Sequence, residues 1–181
     1  MTKSNIHNAD TYHFCSTDKI LLDANIWLYL FPPPCDPKHY WGAKYGAVFK
    51  KLQAAKADII IDQFLISEFL NRYSRIEFGV VKAKYGNNYK RFRASKDFSS
   101  VAISAVGYAK KIISLTIHHG NAIDVPMIVD AISDFGKAKI DFNDSIFVQL
   151  CQKNNYKFLT NDVDFYDSPV EIITCNPNLL C

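Results

Sequence analysis

Short apolar runs that stop at polar or acidic residues, spaced by helix-length segments, constrain this chain more than any other feature. Ile20-Leu21-Leu22 ends at Asp23, and a helical stretch over 24–31 follows at once. The same pattern returns late in the chain, where Lys157-Phe158-Leu159-Thr160-Asn161 leads into Asp162 and Asp164. Two more apolar runs, over 58–61 and 171–174, read as strands. Between them, residues 41–55 place Tyr45, Val48, Phe49 and Leu52 at helical spacing. Residues 63–78 do the same with Leu65, Phe69 and Tyr73, behind Asp62 as a capping residue. Further helices are expected over 98–118, 126–135 and 142–154. Pro32-Pro33-Pro34 ends the first helix, because proline offers no N–H donor and its ring opposes helical continuation. Strands alternating with helices predict βαβ units, right-handed crossovers and a mostly parallel sheet.

At 181 residues and 49% hydrophobic, the chain fits one domain with a sizeable core. Residues 1–18 read as an N-terminal arm and 19–181 as the domain, with 79–97 a polar, basic loop inside it. The net charge of +3 permits an anionic partner without requiring one. Five cysteines without a CxxC pair argue against a disulfide framework or zinc ribbon, and favour reduced thiols in a cytoplasmic protein. The polar stretch 1–18 does not read as a secretory signal, and no run reaches the roughly 18 apolar residues of a membrane span.

The acids carry the chemistry. In open α/β sheets, ligands bind beyond the carboxyl ends of the strands, where Asp23 and Asp162 are expected. Glu68 interrupts the apolar stretch Phe64-Leu65-Ile66-Ser67-Glu68-Phe69-Leu70, and Asp144 opens the apolar half of its helix with Asp141 three residues earlier. Each acid has an ordinary reading too. Asp23 can cap the next helix, Glu68 can pair with Arg72 at i+4, Asp141 and Asp144 can be helix N-terminal acids, and Asp162 and Asp164 can be turn residues. Taken together they fit convergence on one rim, and clustered carboxylates suit a hard divalent cation.

In chain order, the motifs Ile-Leu-Leu-Asp-Ala-Asn, Ser-Glu-Phe, Asp-Phe-Asn-Asp-Ser-Ile and Leu-Thr-Asn-Asp-Val-Asp-Phe resemble those of the PIN-domain nucleases. VapC-like toxins of prokaryotic toxin–antitoxin pairs are the nearest match. The resemblance runs from about Lys19 to Pro177. It implies a three-layer α/β/α fold and a Mg2+- or Mn2+-dependent endoribonuclease that leaves a 5′-phosphate and a 3′-hydroxyl. Asp23, Glu68, Asp144 and Asp162 match the family's catalytic, metal-holding acids. Asn25 matches the residue that orients the first acid, and Asp141 and Asp164 match auxiliary acids. The resemblance also implies a small antitoxin partner and a homodimer. Two alternatives stay open: a PIN nuclease of RNA processing or DNA metabolism, and a catalytically silent module that binds RNA or protein. The triple proline and the stretch 79–140 depart from the compact toxins.

Arg72, Lys82, Lys84, Lys90, Arg91, Arg93 and Lys96 are candidate RNA contacts. Tyr85, Tyr89 and Phe92, interleaved with the lysines and arginines of 80–97, are candidate stacking platforms; a solvated loop is the other reading. His118-His119 is expected at a helix C-terminus rather than on a metal.

Overall fold

Each strand is short because the chain turns as soon as its apolar run ends. The computed structural model describes residues 5–36, 40–118 and 123–181. Its strands are β1 (Ile6–Asn8), β2 (Lys19–Leu22), β3 (Asp58–Ile60), β4 (Lys157–Leu159) and β5 (Ile172–Thr174). They form one sheet in the order β1-β5-β4-β2-β3, and every pairing is parallel. Ile20, Leu21 and Leu22 are all fully buried, as are Ile172, Ile173 and Thr174. Successive strand residues point to opposite faces, so both faces of the sheet are covered. The architecture is therefore α/β in three layers.

The helices are α1 (Ala24–Leu30), α2 (Tyr40–Ala55), α3 (Gln63–Val81), α4 (Tyr89–Arg93), α5 (Lys96–Ser114), α6 (Val125–Gly136) and α7 (Phe142–Asn154). Helix α1 packs on α2 and α3, α3 on α5, and α6 on α7. Asp62 caps α3, its carboxylate accepting from the Phe64 amide at 2.8 Å. None of the helices described is long and apolar enough to cross a membrane, and all five cysteines are free.

The topology selects one crevice. From β2 the chain passes to β3 on one side, whereas from β4 it passes to β5 on the other. The connections diverge between β2 and β4, which are paired through Ile20–Lys157, Leu21–Phe158 and Leu22–Leu159. That divergence opens a cleft beyond their carboxyl ends.

The structure departs from the sequence expectations in three places. The 1–18 arm contributes β1, an edge strand with Ile6 opposite Ile172 and Asn8 opposite Thr174. Three residues carry no readable alternation, so this pairing comes from tertiary context. The stretch 79–97 is helical rather than a loop. Helix α3 runs on to Val81, a 3-10 turn spans Lys82–Tyr85, and α4 and the start of α5 follow. Gly86, at φ +60°, makes the left-handed turn between them. Phe92 and Tyr85 are buried, with Phe92 centred 5.5 Å from both Phe78 and Phe98. Tyr85 from the 3-10 turn and Tyr89 and Phe92 from α4 meet around Phe92, whose ring centre lies 5.4 Å from that of Tyr85 and 6.1 Å from that of Tyr89, and close a small aromatic core. Tyr85 and Phe92 are therefore unavailable for stacking on bases. Finally, α5 ends at Ser114, so His118 lies beyond its last turn, and His119 falls outside the described residues.

Candidate active site

Asp23 sits where β2 stops. Its amide continues the ladder to β4, donating to the Leu159 carbonyl at 3.0 Å, while its side chain caps α1 by accepting from the Asn25 amide at 3.3 Å. The carboxylate is buried, and its second oxygen is held from two sides. Thr160 Oγ1 donates to Oδ2 at 2.6 Å and Asn25 Nδ2 donates to it at 2.7 Å. Cap and rim acid are thus the same residue. Burial pushes the Asp23 carboxyl up to about 6 against the Thr160 hydrogen bond; Glu68 raises it further and Arg72 draws it back.

Asp162 follows β4. Its amide donates to Thr160 Oγ1 at 3.0 Å, and its carboxylate accepts from the Asp164 amide at 3.1 Å, the geometry of an Asx turn. Asp144 stands in the first turn of α7, and Asp141 precedes that helix as its N-cap residue with no capping bond from its side chain. Burial, then the charges of Asp23, Glu68, Asp162 and Asp141, push the Asp144 carboxyl up to about 8. Such mutual repulsion requires the acids to be close.

Glu68 projects from α3. Arg72 Nη1 donates to its Oε1 at 3.3 Å, so the i+4 pair exists, yet the carboxylate is mostly covered and Oε2 is buried without a partner. Buried acceptors are rarely left so. Asp23, Glu68, Asp141, Asp144, Asp162 and Asp164 line one cleft of about 380 Å³, together with Arg72 and Phe135. Of the seven basic residues expected at RNA, only Arg72 is among the lining residues. Lys84 is bound to Asp97 at 2.5 Å, and Arg93 lies over the Phe98 ring, whereas Lys82, Lys90, Arg91 and Lys96 are exposed.

The donor set suits a hard divalent cation: every candidate ligand is a carboxylate, and one carries an orphaned oxygen. Among the described residues, no three acidic, His or Cys side chains are grouped tightly enough to hold an ion as they stand. Mg2+ is compatible with that looseness, since it keeps several waters and commonly takes only one or two carboxylates directly.

Thr160 was not singled out from the sequence. It is fully buried and links Asp23 to the Asp162 backbone. Behind it, Tyr45 Oη donates to Asn161 Oδ1 at 2.9 Å and Asn176 Nδ2 donates to the Asn161 carbonyl at 2.7 Å, fixing the turn. The available signal was a polar residue closing an apolar strand just before two acids. Replacing Thr160 with Val should cost about 10–100-fold in activity, the usual effect of removing a partner from a ligating side chain. It should also shift the acidic limb of the pH profile upward, because Asp23 loses the bond that favours its ionised form. An unmoved profile would show that Thr160 merely packs.

The PIN domain model matches residues 20–170 of this sequence. The chain belongs to the PIN-domain family. Two solved structures share its fold. One is VapBC2 from Rickettsia felis, bound to a DNA fragment from their promoter, with 16% identity over 86% of this chain and 98% of that one, at a TM-score of 0.55. The other is PAE2754 from Pyrobaculum aerophilum, with 15% identity over 90% and 95%, at a TM-score of 0.50. No curated protein matches the sequence. PIN domains are generally nucleases that use divalent metal ions.

Proposed function

We propose that this PIN domain, over 19–181, is a Mg2+- or Mn2+-dependent endoribonuclease, and the toxin component of a toxin–antitoxin pair. The observation that carries the nuclease reading is the gathering of Asp23, Glu68, Asp144 and Asp162 around one cleft at the switch point of the sheet. Fold likeness to VapBC2 supports the toxin assignment, with a small antitoxin and a homodimer as its protein partners.

Asp23, Asp144 and Asp162 would hold the ion directly or through water, with Asp141 and Asp164 as auxiliary acids at the cleft wall. When bound, the ion lowers the pKa of a coordinated water and neutralises charge on the phosphoryl oxygens. Glu68, whose Oε2 is a buried acceptor without a partner, would ligate the ion or orient the attacking water. Thr160 and Asn25 fix the Asp23 carboxylate, so little reorganisation is left for the reaction itself. Arg72 brings a planar cation to the cleft, suited to a substrate phosphate. The exposed Lys82, Lys90, Arg91 and Lys96 would extend the electrostatic track along the RNA backbone, by charge rather than by base stacking.

Single-stranded RNA should be cut in Mn2+, spared in EDTA, and spared by the Asp23→Asn variant. Undiminished cleavage in EDTA or by the variant would overturn this mechanism.

A further inference from the structure

Beside the acidic cleft lies a second cavity, of about 440 Å³, between α7 and the loop that follows Asp164. Its apolar lining is Ile140, Val148 and Pro169, and the exposed Lys139, Gln152, Asp164 and Asp167 stand around it. Both sides are held in place. On the helix side, Ser145 Oγ donates to Asp134 Oδ2 at 3.0 Å, and Gln149 Nε2 donates to the Met127 carbonyl at 3.1 Å and to Ser145 Oγ at 3.3 Å. On the loop side, Asn5 Nδ2 donates to the carbonyls of Ser168 at 2.9 Å and Val170 at 2.8 Å. Asn5 belongs to the segment that carries β1, outside the residues 20–170 that the PIN model matches. The cavity is thus preformed, as ligand sites usually are. An open hollow joins it to the acids, sharing Phe135, Asp141 and Asp164 with the acidic cleft and Lys139, Ile140 and Asp164 with the second cavity.

We propose that the second cavity is a base-binding subsite, which takes a guanine of the RNA strand cut at the acidic cleft. The inference rests on the endoribonuclease reading and adds a sequence preference to it. An RNA strand with one phosphate at the acids can continue along the hollow without leaving the surface. Phe135, 60% exposed at the junction, offers an aromatic surface to one base, and Lys139 a cation to the phosphate that follows. Charge decides which part of the next nucleotide enters the cavity. Asp134, Asp164 and Asp167 outnumber Lys139 on its lining, so a phosphate is repelled while a neutral base is not. Ile140, Val148 and Pro169 suit the apolar faces of that base. Among the four bases, guanine alone presents two adjacent N–H groups on its pairing edge, and one carboxylate can accept both, as it does from an arginine fork. Asp134 is tied to Ser145, and Asp164 is shared with the acidic cleft, so the pair falls to Asp167. A carboxylate has about four lone-pair sites, so another contact at Asp167 does not bar it.

Titration of the full chain in EDTA with GMP, AMP, CMP and UMP, followed by amide chemical shifts, tests the subsite. GMP should move the amides around the cavity, in 139–152 and 164–170, and bind about 10-fold more tightly than UMP or better, whereas Asp167→Asn should leave the two within about 3-fold. The variant should otherwise keep the wild-type spectrum, because position 167 is exposed. No binding, equal binding of the four nucleotides, shifts confined to the acidic cleft, or a GMP preference that survives Asp167→Asn would each overturn the subsite. So would a cavity that takes N-acetylarginine amide in preference to GMP, the result expected if its acids face a basic protein segment. With Mn2+ and random-sequence RNA, fragments cut by wild type should carry guanine at one fixed offset from the cut, and those cut by Asp167→Asn should not; wild-type fragments without that guanine count against the subsite. RNA left uncut sinks the nuclease reading alone, since the nucleotide titration, done without metal, still decides the subsite.

Discussion

The Asp144→Asn variant should be more heat-stable than wild type at pH 8 without metal, and nearly inactive with it. Burial and the surrounding acids push the Asp144 carboxyl from an ordinary 3.8 up to about 8. A group whose folded pKa is raised contributes its full stability below the unfolded value and loses it as pH rises through the folded one. Metal-free wild type should therefore lose stability steadily between about pH 4 and pH 8. Asp23, pushed up to about 6, adds to the slope in the lower half of that window. Asparagine keeps the shape of the side chain and cannot ionise, so the curve of melting temperature against pH should flatten.

Added Mn2+ should act in the opposite sense. A divalent cation relieves the repulsion that protons relieve, so wild type at pH 8 should gain stability with metal, by about 2.7 kcal/mol at a concentration 100 times the Kd. Asp144→Asn should gain little. Its cleavage rate should fall by more than the ~10–100-fold expected of an outer-shell partner such as Thr160. Equal pH slopes in the two proteins, or equal stabilisation by Mn2+, would show that Asp144 does not belong to the cluster.

The acids were legible in the sequence because a carboxylate in apolar surroundings is costly and therefore noticeable. Glu68 stood out among Phe64, Leu65, Ile66, Phe69 and Leu70, and Asp23 at the end of Ile20-Leu21-Leu22. The sheet was legible for a related reason: β2, β4 and β5 are buried on both faces and so read as unbroken apolar runs. The helix expected over 142–154 has those bounds in the structure, and its apolar residues Ile146, Phe147, Leu150 and Cys151 repeat at helical spacing.

What escaped the sequence reading has physical reasons too. Strand β1 is three residues long, with His7 and Asn8 in it, and is a strand only because β5 lies beside it. Charge and brevity hid the helical turns within 79–97, where Gly86 and Asn87 break the chain between Tyr85 and α4; six lysines and arginines spread among the aromatics suggest a solvated loop. Thr160 and the cleft position of Arg72 depend on how β2, β4 and α3 come together, which spacing along the chain does not encode.

The largest single loss of stability should come from the end of the sheet opposite the acids. Lys157 opens β4, and its Nζ contacts Asp18 Oδ1 at 2.8 Å, Glu171 Oε1 at 3.3 Å and the Tyr12 hydroxyl. Asp18 precedes β2 and Glu171 precedes β5, so one ammonium ties three strand entrances to the segment that carries β1. Asp18 is buried, and burial works against its charge, but hydrogen bonds from Lys157 and the Cys15 amide hold its carboxyl below the ordinary range. Replacing Lys157 with Met leaves that carboxylate buried without its counter-ion. Breaking a buried pair in this way costs about 3–5 kcal/mol. Lys157 is 23% exposed, so the lower end of that range applies, still a large part of the ~5–15 kcal/mol that holds a typical domain folded.

The pH dependence has the opposite sign to that of Asp144. A depressed folded pKa contributes stability above the unfolded value, so the Asp18 contribution should be intact at pH 7 and lost as pH falls below about 4. Urea unfolding of Lys157→Met at pH 7 should show the loss. Adding Asp18→Asn should recover part of it, because the second change removes the stranded charge. Mn2+ affinity should stay at the wild-type value, since the staple and the acids lie at opposite ends of β4. A loss below about 1 kcal/mol, the level of an ordinary surface pair, would mean that the staple is solvated and that burial of Asp18 is not what makes Lys157 matter.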